Sequence, residues 1–126
     1  MGRIMLATSA STDEEYGGTT ATQASSVTVT TSIVNEQLLA SIIKVGKLVG
    51  GTLRFYNASY SANTWTTIGT INKKPTTQVS VPACYPTDGT YAGMVLIETN
   101  GDIKIYPVKA LTGGGVSFTM NYETND

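Results

Sequence analysis

Histidine is absent from this chain, and cysteine occurs once, at Cys84. Without a second thiol no intrachain disulfide can form, and without histidine the usual Cys/His zinc sites and every Ser-His or Cys-His nucleophile pair are excluded. Charge is scarce too: Asp, Glu, Lys and Arg make up 13% of the 126 residues, against roughly 25% in an ordinary soluble domain. With 8 Lys+Arg against 9 Asp+Glu the net charge is -1, so no broad field draws in nucleic acid or an anionic membrane. No apolar run nears the roughly 20 residues that cross a bilayer, and the start MGRIMLATSA has too short an apolar stretch for a secretory signal. These absences predict a soluble, non-enzymatic chain with no metal, no cofactor, no nucleic-acid partner and no membrane insertion.

What is present is Thr, Ser, Gly and Asn around a 40% hydrophobic fraction, the profile of a single β domain with neutral polar surfaces. Residues 7 to 32 are almost entirely small and polar, too poor in apolar surface to offset the entropy of ordering them. The chain is therefore divided into a polar leader, docking or linker segment over 1–35 and a β-sandwich head over 36–126. Around the boundary the pattern is ambiguous. Val27, Val29 and Thr31 alternate like a strand, whereas Ile33, Leu38 and Ile42 fall at roughly helical spacing. A short helix from Val34 to Ala40 and a strand or linker are both open.

From Ile42 onward short β segments alternate with turn residues. Strands are predicted over 42–49, 52–56, 65–71, 77–81, 91–98, 102–106 and 116–122, separated by GG, YNASYSAN, NKKP, PACYPTDG and LTGGG. Seven such strands without a fixed-period repeat indicate an all-β sandwich or barrel.

The stretch ETNGDIKIY, Glu98 to Tyr106, predicts a hairpin in which Asn100-Gly101 is a two-residue turn with both residues at positive φ. That register sets Ile97 opposite Lys104 and Leu96 opposite Ile105. One face then carries Met94, Leu96, Ile103 and Ile105, and the other Val95, Ile97, Lys104 and Tyr106. Both faces are largely apolar, which predicts a second covering layer; Val95, Ile97 and Tyr106 are expected at a contact between subunits.

The remaining constellations are weak. Asn100, Asp102 and Asp88 fit no calcium-loop spacing, and turn residues explain them better. The acidic run Asp13-Glu14-Glu15 sits in the polar leader, where a solvated cluster is expected. Gly113-Gly114-Gly115 lacks the Lys-Ser/Thr of a phosphate loop and is read as an inter-strand loop, and Lys73-Lys74-Pro75 as a turn cap. Cys84, with no activating partner in sequence, is expected to be an ordinary, partly buried thiol. Aromatic rings stack on sugars and tyrosine adds a hydroxyl, so Asn57, Tyr60, Asn63, Tyr85 and Asp88, all placed in loops, form the candidate receptor-binding set. For Trp65 core packing is preferred over ligand contact.

The order VGKLV, WTTIGTI, a Pro-containing link, VSVPA, YAGMVLIETNGDIKIY and FTMNY, spanning about residues 41 to 123, resembles the C-terminal head domains of tail-fibre and baseplate receptor-binding proteins of bacteriophages that infect Gram-positive bacteria. The link INKKP lacks the Leu-Pro-x-Gly-Tyr-Arg-Pro run often found there, and residues 1 to 33 show no heptad shaft. The resemblance implies a β-sandwich or jelly roll assembled as a homotrimer, binding a host cell-surface saccharide through loops or subunit boundaries. The expected location is the virion, in a tail fibre or baseplate. The alternative is a virion structural part, a capsid decoration or head-fibre protein, docked on other virion proteins through its N-terminal segment.

Overall fold

A computed structural model describes residues 21–23, 27–29 and 33–125. Every element among them is a strand: β1 (Ala21–Gln23), β2 (Val27–Val29), β3 (Val34–Val45), β4 (Leu48–Tyr60), β5 (Thr66–Ile71), β6 (Val79–Cys84), β7 (Tyr91–Ile97), β8 (Asp102–Pro107) and β9 (Leu111–Glu123). All pairings are antiparallel, in the order β1-β3-β4-β9-β6-β7-β8-β5-β2. The all-β antiparallel class is as the strand pattern predicts.

Chain connectivity shows that the sheet is folded over. β1 and β2 occupy its two outer edges, yet only residues 24–26 separate them. Four residue steps reach at most about 14 Å, whereas nine strands laid flat would hold those edges roughly 38 Å apart. The turn-over lies between β9 and β6, which pair only at Ala83–Phe118 and Cys84–Ser117. One layer is thus β1-β3-β4-β9 and the other β6-β7-β8-β5-β2. Between them lies one core, in which Leu53, Phe55, Val116 and Met120 of the first layer meet Ile68, Val95, Ile97, Ile103 and Ile105 of the second. Phe55 and Phe118, diagonal neighbours on the paired strands β4 and β9, stack on the inner face of the first layer with ring centroids 5.9 Å apart.

Several predicted elements change. Of the two readings open for residues 34–40 the strand is the one found, because β3 pairs with β4 along most of its length and that pairing outweighs the helical spacing. The predicted strand over 42–49 is instead bent at Gly46-Lys47, with Gly46 at φ 61, so it contributes to both β3 and β4. Gly50-Gly51, read as a break, lies inside β4. A side chain on Gly51, at φ 154, would run into the Ser41 carbonyl of β3, so glycine here permits close backbone approach. YNASYSAN is not wholly a loop: β4 continues to Tyr60 through an irregularity at Asn57, φ 52. The Gly113–Gly115 run is likewise held in β9 by its partner β4. The sheet also takes in Ala21–Gln23 and Val27–Val29, two short strands from the 1–35 segment. Asp13, Glu14 and Glu15 lie outside the described residues.

The hairpin of β7 and β8 corrects the predicted register by one residue. Ile97 faces Ile103, Leu96 faces Lys104, Val95 faces Ile105 and Met94 faces Tyr106. The Glu98 N–H donates to the Asp102 carbonyl at 2.9 Å and the Gly101 N–H to the Glu98 carbonyl at 2.8 Å, enclosing a three-residue loop. Only Gly101 has positive φ, at 94°, while the Asn100 side chain accepts from the Asp102 N–H at 2.9 Å. A one-residue slip exchanges the faces of a strand. Val95, Ile97, Ile103 and Ile105, all fully buried, therefore line the chain's own core. Val95 and Ile97 are not surface residues for a subunit contact. The outer face holds Lys104, bonded to Glu98 at 2.9 Å, and the exposed Tyr106.

Candidate functional site at the loop end

Strand directions put the β4–β5, β6–β7 and β8–β9 connections at one end of the sandwich. The turns at 46–47 and 98–101 and the start of β1 lie at the other. The predicted receptor-binding residues Asn57, Tyr60, Asn63, Tyr85 and Asp88 all belong to the loop end. Asn100 and Asp102 sit at the opposite end, a strand length of roughly 20 Å away from Asp88, so the three cannot share a cation.

Asn57 and Asn63 are the only described non-glycine residues with positive φ, at 52° and 55°. Asparagine tolerates this conformation where most side chains do not. Asn57 lets β4 pass its irregularity, and the Asn63 N–H donates to the Pro107 carbonyl at 2.8 Å, tying the β4–β5 loop to β8. Both have a backbone role that suffices to explain them.

Tyr60 and Tyr85 are not exposed as predicted, since they retain 7% and 8% of their accessible surface. They lie near one another, and neither hydroxyl has a hydrogen-bond partner. Burial pushes both phenols above their ordinary range, helped by Tyr85 in the case of Tyr60 and by Asp88 in the case of Tyr85. The loop that carries Tyr85 closes on itself: Tyr85 N–H donates to the Thr90 carbonyl at 2.9 Å and Gly89 N–H to the Tyr85 carbonyl at 2.7 Å. Asp88 Oδ1 accepts from the Thr90 N–H at 3.0 Å and the Thr90 hydroxyl at 2.8 Å. Those bonds, the backbone one foremost, with Lys109 adding a smaller effect, hold the Asp88 carboxyl below the usual carboxylate range. Lys109 stands over the Tyr85 ring, its Nζ 5.0 Å from the centroid. Tyr85, Thr87, Asp88, Lys109 and Leu111 border a cavity of about 240 Å³. Sequence reasoning missed Thr87, Lys109 and Leu111, which the fold brings together from the β6–β7 and β8–β9 connections and the start of β9.

Trp65 is 45% exposed, which overturns its assignment to the core. Thr66 pairs with Ile105, so the next residues outward, Trp65 and Tyr106, meet across β5 and β8; their ring centroids are 5.2 Å apart at 48°. Tyr91 and Val108, also exposed, lie at the same end of this layer. Among the described residues the other exposed large apolar side chains, Ile43 and Leu48, lie at the opposite end of the other layer. They border a groove of about 540 Å³ with Ser41, Val45 and Asn121. Cys84 is partly buried, its Sγ 3.5 Å from the Ser117 hydroxyl. Among the described residues no cluster of three metal-ligating side chains occurs.

No family model and no curated protein matches the chain.

Proposed function

We propose that this chain is a non-enzymatic recognition head, of the kind carried by phage tail fibres and baseplates. Its loop end holds a host-surface saccharide, and its opposite end joins it to a larger particle. The observation that carries this reading is the Trp65–Tyr106 pair, two rings in contact and exposed at one end. Exposed aromatic faces stack on the C–H faces of sugar rings, while indole N–H and phenol O–H bond their hydroxyls. Polarity supports the arrangement, since β1 begins at the end away from these rings. Threefold assembly follows from the resemblance alone, because Val95 and Ile97 are internal; Tyr106, beside Trp65, is the one residue of that set free to touch a second copy.

The test is whole-cell and glycan-array binding of the native assembly and of Trp65→Ala. The expected result is binding that falls at least about tenfold in the variant, with light scattering reporting a trimer. Equal binding by the two proteins, with coincident melting curves, would refute the platform.

A second reading, a capsid-decorating or head-fibre part, is favoured by the exposed Ile43 and Leu48 beside the groove on β3 and β4. Leu48→Lys should then abolish cosedimentation with particles while Trp65→Ala does not. Retained cosedimentation in Leu48→Lys would remove this reading.

A further inference from the structure

We propose that the cavity beside Tyr85 is a second, separate subsite, which grips adjacent hydroxyls of a single neutral sugar ring between Asp88 and Lys109. It stands apart from the Trp65–Tyr106 platform and does not depend on it. Size comes first: the depression, about 240 Å³ and open to solvent on one side, admits a sugar ring.

Chemistry selects the ligand. Thr90 occupies Asp88 Oδ1 through two bonds and so fixes the carboxylate plane, leaving Oδ2 to accept from a ligand hydroxyl. Lys109, standing over the Tyr85 ring, offers a donor from the other side. A hydroxyl is the group that both donates and accepts, so two neighbouring hydroxyls satisfy both flanks at once. The opposed charges of Asp88 and Lys109 leave the mouth without a net sign. A singly charged sugar gains at one flank what it loses at the other, so charge gives it no advantage over a neutral ring.

A second, independent observation concerns Tyr85, which lines the cavity, and its neighbour Tyr60. Tyr60 and Tyr85 are more than nine-tenths buried and their hydroxyls have no partner. Buried polar groups are normally satisfied, and a polyol or water entering beside Tyr85 supplies what the phenols lack. Leu111, paired with Tyr60, gives the cavity an apolar wall for the C–H face of the ring.

The experiment is saturation-transfer NMR on the full chain with methyl glycosides of glucose, galactose and mannose, and with glucuronate and glucosamine as charged controls. At least one neutral glycoside should bind. Affinity should fall about tenfold in Asp88→Asn and in Lys109→Met, each costing one charge-assisted hydrogen bond, and should be unchanged in Trp65→Ala. Thermal melts establish that the variants are folded. Absence of transfer from every neutral glycoside overturns the subsite. So does unchanged affinity in a folded Asp88→Asn. Loss of binding in Trp65→Ala alone assigns the sugar to the platform and also overturns it.

Discussion

Leu96→Ala and Ile97→Ala remove the same three carbons from neighbouring residues of β7, and together they test which face of the β7–β8 hairpin is internal. Ile97 is fully buried opposite Ile103. Three carbons at about 0.8 kcal/mol each give ~2.4 kcal/mol of lost transfer energy, and incomplete collapse of a close-packed interior raises the loss toward ~3–4 kcal/mol. Leu96, only partly buried on the outer face beside Lys104, lies where water can fill the space it vacates, so its truncation should cost about 1 kcal/mol. For a chain of this length those figures correspond to a fall in Tm of roughly 10–15 °C for Ile97→Ala and about 4 °C for Leu96→Ala. Urea unfolding of both variants, with unchanged m-values, gives the free energies directly. The reasoning fails if Leu96→Ala costs as much as Ile97→Ala, because the hairpin would then have the register of a two-residue turn.

Glycines at two positions should respond differently to the same substitution. A methyl on Gly51 meets the Ser41 carbonyl, whereas a methyl on Gly113 meets open space at φ 62. Gly113→Ala should therefore cost only the conformational strain of about 1–2 kcal/mol, and Gly51→Ala clearly more; equal melting points would contradict the close approach of β3 and β4. The Asp88 carboxyl should titrate in NMR below the ordinary value of about 3.9, because Thr90 bonds its charged form. A depressed folded-state pKa means that its stabilising effect is present above the unfolded value and disappears as pH falls through the folded one. Thr90→Val, which keeps the backbone N–H, should move the midpoint upward without reaching the ordinary value; complete restoration would show that the hydroxyl, not the backbone, is the larger cause.

The place of the hairpin was legible in ETNGDIKIY, but its register was not. Two- and three-residue loops around Asn100-Gly101 differ by one residue, and the difference rests on whether Asn100 turns to positive φ or bonds Asp102 with its side chain. Both options suit asparagine locally, so the choice falls to the packing of Val95 and Ile97. Glycine misled in a similar way. Gly50-Gly51 and Gly113–Gly115 read as punctuation, yet each lies in a strand whose partner supplies the hydrogen bonds that local preference does not favour. At the loop end, Tyr60, Tyr85 and Asp88 were recognisable as turn-flanking polar and aromatic residues, and the fold gathers them. The burial of the two tyrosines was hidden, as was the exposure of Trp65, because both depend on which loops fold over which rings.

Composition and period-two alternation by themselves determined the all-β class and the exclusion of histidine chemistry. Those properties follow from residue types and the alternation of side chains along an extended backbone. Only the tertiary structure decided which alternate set is internal, which tyrosines lose their water and which charged pair flanks a cavity. Alternation says that two residues share a face; only the layer packed against that face decides whether it is wet or dry.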